Sequence, residues 1–453
     1  MKIMMVRPAP PKETIGLQHV MVVEPLELEV LAAVTDEDDE VLIIDLILEK
    51  KGIEYFLKKH KPDMLCVTGY ITNVTCMKEY CRIAKSINPR IVTVTGGVHV
   101  EVIPSDLDDI TVDFRVVRNA TIAFKGLLKH LKCGSDLPQG ILRPGIKMEE
   151  VSLPEFDFYF PRPRRDLVER YRSKYFYIFH NKVALVKTAF GCPYKCNFCF
   201  CRVITGDNFY QRDIEDVLDE LNDIKETEIY IVDDDFLVNP ARLTQFMDGL
   251  EKRGLKKHFL IYGRSDFITA HEDLISRFKN LGLATVIVGF ESFNDEELKK
   301  YNKMTDVETN ERAMKILNNL GIDCYATVIL PPHWERRDFD LLVRKMIELD
   351  MKYVNLQPLT PLPGTGFVVD AEKLLIHPGD YPKWDLAHVA VKPEKMSVRE
   401  YYQCIIDSYE KILFRPSVLK NHLRYSLPML IKMLHGSWKV HRQYRRKAKE
   451  AEE

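Results

Sequence analysis

The sequence has little net charge, no long apolar segment and no cysteine pattern of the kind found in secreted proteins. Its 65 Lys and Arg residues and 67 Asp and Glu residues give a formal net charge of −2. No overall positive field would therefore attract it to nucleic acid. No uninterrupted apolar run approaches the roughly 20 residues that a membrane-spanning helix needs. We therefore expect neither a nucleic-acid-binding protein nor a membrane-spanning one.

The ten cysteines do not form a disulfide framework, because they cluster around position 196 or lie singly in apolar contexts. The short apolar run at the amino terminus is followed at once by Arg7 and three prolines, which is typical of a first strand and its loop. We expect no signal peptide there. The sequence thus predicts a cytoplasmic protein in a reducing, anaerobic environment.

The most informative segment is a short loop that carries Cys192, Cys196 and Cys199, directly after a strand-like run at residues 183–188. Thiolates are soft ligands for iron, and three of them on one loop can hold three irons of a four-iron cluster. One iron would lack a protein ligand. An open coordination position of this kind is where a substrate or cofactor binds a metal.

Two other interpretations of these cysteines are a structural zinc site and buried thiols. Zinc normally takes a fourth Cys or His at matching spacing, and the nearby candidate is Cys201. Because Cys201 follows Cys199 by two residues and would project differently in an extended segment, we place it outside the cluster.

The C-x3-C-x2-C spacing, with Phe198 just before the last cysteine, resembles the signature of the radical S-adenosylmethionine (SAM) superfamily. The resemblance implies that the amino and carboxylate groups of SAM chelate the fourth iron. It also implies that one electron cleaves SAM to a 5'-deoxyadenosyl radical, and that a flavodoxin- or ferredoxin-type protein supplies the electron. Cys192, Cys196 and Cys199 are accordingly both the metal ligands and the catalytic residues.

Residues 183–365 alternate strands with helices and predict a partial (β/α)6 barrel. The predicted strands are the one before Cys192 and those at 228–233, 259–262, 285–289, 324–330 and 353–357. Barrel chemistry gathers at the carboxyl ends of the strands. Polar residues occur at those ends, which favours a ligand site there.

The resemblance to radical SAM enzymes gives these strand-end residues roles in binding SAM. It implies that Asp234 or Asp235 accepts from the methionine ammonium group and that Arg264 faces the carboxylate. Glu291, after Gly289, would face the ribose or the amino group, and the backbone of Phe198 would contact the adenine. A simpler role is also expected for at least one residue of the Asp233–Asp235 run, that of capping the next helix.

Residues 1–140 also alternate strands and helices, which predicts an open parallel sheet with helices on both faces, a Rossmann-like domain. Ligands of such sheets bind at the carboxyl ends of the strands. Three strand ends are equipped for a large ligand, because glycines allow close approach and Thr and Asn supply hydrogen bonds. The candidate residues are Arg7, Pro8, Gly69, Tyr70, Ile71, Thr72, Asn73, Gly96, Gly97 and His99.

With its Gly-Gly-x-His element at residues 96–99 and its position before a radical SAM core, this domain resembles the cobalamin-binding domain of cobalamin-dependent radical SAM enzymes. The resemblance implies cobalamin as a cofactor. The Asp-x-His-x-x-Gly loop of the methionine synthase type, whose His ligates cobalt, is absent from the sequence. His19 or Tyr70 could approach cobalt instead. The alternative is an α/β module that binds a partner and no cobalamin.

Residues 141–182 are expected to form a linker that contains a helix at 166–174, and residues 366–453 a helical carboxyl-terminal domain with helices at 397–414 and about 416–449. The Thr-Pro-Leu-Pro-Gly-Thr loop at 360–365 and the Trp-Asp-x-x-His segment at 384–388 resemble the subgroup of hopanoid C-3 methylases and related C-methylases. Tyr381, Trp384 and His388 would either cover the substrate pocket or pack the helices on the barrel. The basic tail at 437–447 could touch an anionic membrane or remain a solvated helix face.

The leading hypothesis is a cobalamin-dependent radical SAM C-methyltransferase that acts on an unactivated carbon of a lipid, a pigment or a protein side chain. One alternative is a cobalamin-linked radical SAM cyclase or oxidoreductase that transfers no methyl group. Another is a non-catalytic cobalamin or iron-sulfur sensor. The carboxylates and the arginine at the barrel strand ends argue against a sensor, because a sensor does not need to chelate SAM.

Overall fold

The amino-terminal part of the chain is built on a six-stranded sheet. The structure, a computed structural model, describes residues 1–451. The sheet order is β3-β1-β4-β5-β6-β7, and all pairs are parallel except β6 with β7. The strands of this part are β1 (Lys2–Arg7), β2 (Met21–Val22), β3 (Glu40–Asp45), β4 (Met64–Thr68), β5 (Val92–Gly96), β6 (Phe114–Val116) and β7 (Ile141–Leu142).

Helices cover both faces of this sheet, as predicted. Successive strand residues point to opposite faces, so the alternating apolar residues of β1 feed two separate cores. Ile3 and Met5 belong to one core, and Met4 and Val6 to the other. The helices are α1 (Leu26–Ala32), α2 (Ile53–His60), α3 (Val74–Ile87), α4 (Val98–Val102) and α5 (Ala120–Cys133).

A second six-stranded sheet follows, entirely parallel, in the order β10-β13-β14-β15-β16-β17. Its order follows the chain, as in a barrel, and this confirms the predicted partial barrel of six strands. Short strands β8 (Phe176–Tyr177) and β9 (His180–Asn181) precede it. The sheet strands are β10 (Ala184–Val186), β13 (Glu228–Ile231), β14 (His258–Gly263), β15 (Leu283–Glu291), β16 (Asp323–Leu330) and β17 (Tyr353–Pro358), and β11 (Ala189–Phe190) and β12 (Tyr210–Gln211) form a separate hairpin pair.

Helices cover the outer face of the barrel sheet and bury the largest core of the chain. They are α7 (Ile214–Asp223), α8 (Pro240–Arg253), α9 (Ser265–Ala270), α10 (Glu272–Asn280), α11 (Asp295–Lys300), α12 (Val307–Asn319) and α13 (Arg336–Glu348), whereas α6 (Cys201–Thr205) follows the cysteine loop and contacts α4. The inner face of the sheet is filled from the amino-terminal part: Leu26 and Val30 of α1 pack on Leu185, Tyr230 and Ile287. The two sheets therefore share a buried contact.

The predicted linker is only partly irregular. Residues 152–164 have no regular secondary structure, as expected from their prolines. The helix predicted at 166–174 is instead a 3-10 helix, Arg165–Lys174. Its arginines are held by a buried carboxylate from the amino-terminal part, since Arg165 and Arg172 both donate to Glu24.

The carboxyl-terminal segment contains α14 (Val398–Leu413), α15 (Pro416–His422) and α16 (Leu427–Glu450). The sequence predicted one helix over 416–449. The chain breaks instead before Pro428, which has no N–H and begins α16 in its first turn. Within the described residues these helices share the cores of the other parts: Met429 and Met433 pack with the amino-terminal sheet, and Tyr444 packs with the barrel helices. Residues 452 and 453 of the predicted helical domain lie outside the described residues.

None of the helices within residues 1–451 combines the length and the apolar character that crossing a membrane requires.

Candidate active site

The cysteine loop begins at the carboxyl end of β10 and is fastened by backbone and amide hydrogen bonds. Asn197 N donates to Tyr301 O at 3.0 Å, and Asn302 Nδ2 donates to Lys195 O at 2.6 Å. Gly191 has a φ of +76°, and a Cβ there would lie 2.2 Å from Asn208 O. Only glycine adopts this turn without strain. The turn sets the direction in which the cysteine loop leaves the barrel.

The three thiols are partly buried at the barrel mouth. Burial raises the pKa of Cys192 to about 12 and also raises that of Cys196, although Lys303 and Arg264 oppose the second shift. Zinc with bonds of about 2.3 Å needs thiols roughly 4 Å apart. Among residues 1–451, no three cysteines bring their sulfurs within 4.8 Å of one another. Three soft donors on one loop fit a multi-iron cluster, in which each thiolate binds a different iron.

Cys201 starts α6, so the segment is helical here, whereas an extended segment was expected. A hydrogen bond from its thiol lowers the pKa of Cys199. The thiol also lies 3.1 Å from Asp234 Oδ1. Cys201 therefore contacts the cluster loop and a strand-end carboxylate at the same time, and its contact with Cys199 is one that the sequence analysis missed.

The three consecutive aspartates after β13 have three different environments. Asp233 is buried and accepts from Thr188 N at 2.6 Å and Ala189 N at 3.0 Å, which joins β13 to the start of the cysteine segment. Asp235 accepts from Leu237 N through Oδ1, but its buried Oδ2 has no partner among the described residues. Burial raises the pKa of Asp235 to about 7.

The expectation that one of these aspartates caps the next helix is wrong. Asn239 caps α8, and its side chain accepts from Ala241 N and Arg242 N. None of the three aspartates caps α8, but Asp233 is held by Thr188 and Ala189, so only Asp234 and the unpaired oxygen of Asp235 remain available to a ligand.

Arg264, at the end of β14, is 6% exposed and lies beside the cysteine loop. Its guanidinium carbon is 3.7 Å from the centre of the Tyr194 ring. It is also engaged elsewhere, because it donates to Asp266 at 2.8 Å and to Lys303 O at 2.8 Å. These bonds orient the guanidinium and neutralise part of its charge.

Glu291 ends β15 at a register shift in which the strand bulges after Gly289. Its φ is +61°, an uncommon value for a residue with a side chain. The carboxylate folds back over Gly289, where a Cβ would meet Glu291 Oε1 at 2.2 Å. Gly289 therefore makes room for the carboxylate.

Lys303 is a second cation at the site, and the sequence analysis missed it. Its Nζ lies 3.2 Å from Glu291 Oε1, and its side chain is 8% exposed. It acts electrostatically on Cys196. Lys303 follows an irregular turn in which Asn302 has a φ of +52°, so no periodic pattern pointed to it.

Phe198 lies between the cluster loop and the barrel end. Its ring packs edge-on against Tyr301 at 5.9 Å, within an apolar cluster that includes Ile329 and Leu359. The ring is thus fixed by packing, and the backbone of the loop remains at the barrel mouth.

In the amino-terminal sheet, the candidate strand ends lie side by side because β4 and β5 are neighbours, with Thr68 opposite Gly96. Gly97 has a φ of +92°, and a Cβ there would lie 2.5 Å from Thr68 Oγ1. Asn73 Oδ1 accepts from Tyr70 N at 3.3 Å and closes the turn that contains Ile71 and Thr72. Gly69, Tyr70, Ile71, Thr72, Asn73, Gly96 and Gly97 therefore form one edge.

The other candidates of this part are held by partners. Arg7 donates two hydrogen bonds to the buried Asp45, and Pro8 follows it at the end of β1. His99 is 4% exposed on α4, and its Nε2 lies 2.9 Å from Asp106 Oδ2. His19, considered as a cobalt ligand, lies instead against α16, whose Gly436 contacts its carbonyl.

Tyr70 follows β4 and lies near the strand ends of the barrel sheet. We call the space between the strand ends of the two sheets the chamber. Tyr70 keeps 62% of its surface accessible, yet burial raises the pKa of its phenol to about 12. The groups that act electrostatically on it are Glu27, Tyr262, Arg7 and Asp234. Two belong to the amino-terminal part and two to the barrel strand ends. The phenol of Tyr70 therefore lies close to the strand ends of both sheets.

The inner face of the last two barrel strands carries polar side chains without partners. Thr327 of β16 is opposite Asn355 of β17, and Gln357 follows on the same face. Their outward-pointing neighbours belong to the helix-side core. Within residues 1–451, these three side chains make no hydrogen bond or ion pair. They leave donors and acceptors available to a ligand inside the barrel.

The three residues predicted to contact substrate are separately engaged. Tyr381 packs edge-on against the His99 ring at 6.0 Å. Trp384 is 5% exposed, and its Nε1 donates to His377 O at 3.3 Å. His388 is bound through Nδ1 to Asp385, and Asp385 in turn accepts from Ile15 N. These contacts join the carboxyl-terminal segment to the amino-terminal part.

Two family models match the chain. The B12 binding domain model matches residues 14–128, and the radical SAM superfamily model matches residues 186–380. The first covers β3 to β6 and the glycine-rich edge but not β1 or β7, and the second covers the cysteine loop and the barrel strands β13 to β17. The cofactors that these domains imply are cobalamin, a [4Fe-4S] cluster and SAM.

Similar curated proteins include methylases and cyclases. The hopanoid C-3 methylase of Methylococcus capsulatus is 26% identical over 432 residues, which cover 92% of this chain and 80% of that protein. The anaerobic magnesium-protoporphyrin IX monomethyl ester cyclase of Rubrivivax gelatinosus is 25% identical over 378 residues, 80% of this chain and 67% of that protein.

Solved structures share the fold. The radical SAM methyltransferase TsrM of Kitasatospora setae, with cobalamin and a [4Fe-4S] cluster bound, superposes with a TM-score of 0.67 at 16% identity and covers 99% of both chains. The cobalamin-dependent radical enzyme OxsB gives a TM-score of 0.63 at 18% identity. That match covers 76% of this chain and 52% of OxsB, so the chain spans about half the length of OxsB.

Proposed function

We propose that this chain, a cobalamin-dependent radical SAM enzyme, is a C-methyltransferase that moves the methyl group of SAM by way of its cobalamin to an unactivated carbon. One observation carries the proposal: the segments that follow the strand ends of the two sheets meet, since Val102 of α4 and Val203 of α6 both lie within 3.3 Å of the Cβ position of Gly364, beside the space that we call the chamber. Tyr70 from one sheet and Tyr262 and Asp234 from the other act on each other across it. Two cofactors held at these edges would face one substrate.

The cluster would be held by Cys192, Cys196 and Cys199. When bound, the cluster and SAM supply a carbon radical and the corrin supplies a methyl carrier. The protein supplies the positions of the reacting groups, and a misplacement of one ångström can cost roughly a hundredfold in rate. The fastened loop and the buried Asp233 support this role, because they leave the thiols little freedom to move.

The SAM contacts would come from the strand ends. Asp235 has an unpaired buried oxygen that suits the ammonium group. Arg264 or Lys303 would face the carboxylate. Lys303 joins the candidates because Arg264 already donates to Asp266. Glu291 would accept from a ribose hydroxyl, Asp234 would face the chamber, and the backbone near Phe198 would contact the adenine.

The corrin would lie on the edge formed by residues 69–73 and 96–97. Gly97 supports this, since it has no side chain and lets the ends of β4 and β5 approach each other closely. His99 and Arg7 would position this edge through Asp106 and Asp45. Their contacts support that role better than direct contact with the ligand.

The substrate would be a lipid, a pigment or a protein side chain. Thr327, Asn355 and Gln357 could bind a polar group of it, since they are unpaired on the inner barrel face. The contacts of Tyr381, Trp384 and His388 support a packing role better than substrate contact. An electron donor is required, and a flavodoxin- or ferredoxin-type protein of the cytoplasm is the proposed partner.

A cyclase or oxidoreductase reaction is the second candidate, favoured by the similarity to magnesium-protoporphyrin ester cyclases. Anaerobically reconstituted enzyme given SAM with a labelled methyl group separates the two. Extracts of the producing cells serve as substrate, and products are read by mass spectrometry. Label in a product heavier by one methylene supports methyl transfer. A modified product without label would favour the cyclase, and no SAM cleavage at all would favour a sensor.

A further inference from the structure

Helix α16 has one apolar face that packs on the protein and another that is exposed. Met429, Met433 and Tyr444 point inward into the two main cores. On the opposite face, Leu427, Ile431, Leu434 and Trp438 are 69%, 59%, 61% and 54% exposed. Their spacing of four, three and four residues puts them on one line along the helix. We call these four residues the exposed strip.

Exposed apolar residues are common singly, but four in a line on one helix are unusual in a soluble protein. Leu423, just before α16, is 77% exposed as well. These side chains do not stabilise the folded chain by burial. A surface of this kind indicates a binding site for an apolar partner.

The charge of the residues around the exposed strip indicates which kind of partner the strip would bind. Residues 415–449 contain ten Lys or Arg and no Asp or Glu, although the whole chain has a net charge of −2. Lys439 and Arg442 have no acidic partner among residues 1–451, and Arg442 lies 5.6 Å from the Trp438 ring. The line of the strip thus continues directly into cationic side chains.

We propose that the exposed strip docks on the surface of an anionic lipid bilayer, with α16 parallel to the membrane. An apolar face beside unpaired cations is what an interfacial helix needs. The long basic side chains can reach the headgroups while the aliphatic residues enter the acyl boundary. A second copy of the chain is a poorer occupant, because two such faces would bring like charges together.

The docking does not depend on methyl transfer and would hold whichever radical reaction the enzyme performs. If the substrate is a membrane lipid or an apolar pigment, the strip would hold the chamber near the phase in which that substrate dissolves. This would sharpen the proposed substrate class, because a soluble protein substrate needs no such surface.

Vesicle flotation of the reconstituted full chain tests the proposal. Vesicles of phosphatidylcholine alone are compared with vesicles in which roughly a third of the lipid is anionic phosphatidylglycerol. We expect binding to the anionic vesicles at least about tenfold tighter than to neutral ones. Ile431→Gln with Leu434→Gln should weaken it about tenfold, since two apolar side chains are lost from the interface. Leu341→Gln, on the exposed face of α13, is the matched control and should change nothing.

Charge is tested by Lys439→Glu with Arg442→Glu against Lys125→Glu with Lys252→Glu, which make the same change in net charge elsewhere on the surface. Only the first pair should abolish the preference for anionic vesicles. Trp438 is the exposed tryptophan of the three in the sequence, so its emission should shift to the blue on binding.

Equal binding to both vesicle types, or full binding by the Ile431→Gln and Leu434→Gln variant, would overturn the proposal. So would equally tight, strip-dependent binding to soluble polyglutamate, which would indicate an acidic protein partner. A concentration-dependent dimer that the same two substitutions dissociate would also overturn it. A loss of methyl transfer without a loss of vesicle binding would contradict only the proposed function.

Discussion

Three neighbouring carboxylates after β13 show how the local environment divides roles among identical residues. Asp233 accepts hydrogen bonds from the segment that leads to the cysteines, so it is a positioning residue. Asp234 is exposed to the chamber and contacts Cys201. Asp235 is buried with one oxygen unpaired. A buried carboxylate without a cation is costly, which prepares this residue to accept a positively charged ligand.

Asp235 should make the stability of the cofactor-free chain depend on pH. Burial raises its pKa from 3.8 to about 7. A carboxyl group that holds its proton more tightly in the folded chain stabilises that chain at low pH and loses this contribution as the pH rises from about 4 to about 7. Asp235→Asn should therefore be more stable than the wild type at pH 8, by at most about 4 kcal/mol. At pH 5 the difference should fall to less than about 2 kcal/mol.

Urea denaturation of both proteins across this pH range measures the effect. Asp234→Asn, at the exposed neighbour, is the matched control and should follow the wild type. A constant difference between Asp235→Asn and the wild type at all pH values would show that Asp235 is ionised in the folded chain throughout.

The spacing of the cysteines and of the strand-end aspartates along the sequence was enough to predict which of them lie together. Cys192, Cys196 and Cys199, and the aspartates after β13, lie at the barrel mouth because strand ends of a parallel sheet meet at one edge. Lys303 could not be predicted, since it reaches the site from an irregular turn. His99 was placed on the correct edge, but its pairing with Asp106 depends on tertiary packing.

At the scale of elements, the strands were the most predictable part. Short β-branched runs predict strands at residues 2–7 and 40–45, and helical spacing predicts a helix at residues 74–87. The structure has β1, β3 and α3 with these bounds. No helix was predicted in the segments of α5, α9 and α12. In α5 the spacing of Phe124, Leu127 and Leu128 is helical, but Gly126 weakens the pattern. The break before α16 was not predicted, because the long helical pattern of this segment outweighed its internal proline, Pro428.

Helix α16 is fixed to the amino-terminal part at Gly436, where helix propensity and packing oppose each other. A Cβ at Gly436 would lie 2.1 Å from His19 O, a backbone atom that cannot move alone. Alanine favours an isolated helix by about 1 kcal/mol over glycine. We nevertheless expect Gly436→Ala to destabilise the chain by about 1 to 3 kcal/mol, because α16 must shift.

Thermal unfolding measures this, with Ser437→Ala as the control on the same helix. Ser437 is exposed, so its substitution should be neutral or slightly stabilising. If Gly436→Ala also stabilised the chain, the close contact between α16 and residue 19 would not exist in solution.

At the scale of the whole molecule, a buried ion cluster joins the amino-terminal part to the barrel. Glu24 is 1% exposed and accepts from Arg165, Arg172 and the backbone N of Leu185 in β10. Glu24→Gln keeps the shape of the side chain but removes the negative charge that Arg165 and Arg172 share. Removing one partner of a buried pair costs about 3 to 5 kcal/mol. Because Arg165 keeps Glu220 at 2.7 Å and Arg172 keeps Glu226 at 3.4 Å, we expect a smaller loss of about 2 to 3 kcal/mol in urea denaturation.

Glu40 provides the comparison for this substitution, because its pair with Lys2 is largely exposed. Glu40→Gln should cost less than about 1 kcal/mol. Similar losses for both variants would mean that the Glu24 cluster is hydrated in solution and does not tie the two parts together.

The two proposed cofactor sites lie on separate sheets and should therefore be separable by mutation. Cys196→Ala should lose the iron-sulfur cluster after anaerobic reconstitution and keep the corrin, whereas Gly97→Val should lose the corrin and keep the cluster. The Val side chain would meet Thr68 and Gly69 at a φ of +92°, which distorts the proposed corrin edge. Cys133→Ala, at an exposed cysteine, should keep both. Iron and sulfide content and the corrin absorbance band are the measurements.

Both single-site variants should lack methyl transfer, since the reaction needs both walls of the chamber. Simultaneous loss of cluster and corrin in Cys196→Ala, with Cys133→Ala intact, would refute independent sites and would mean that one cofactor completes the site of the other.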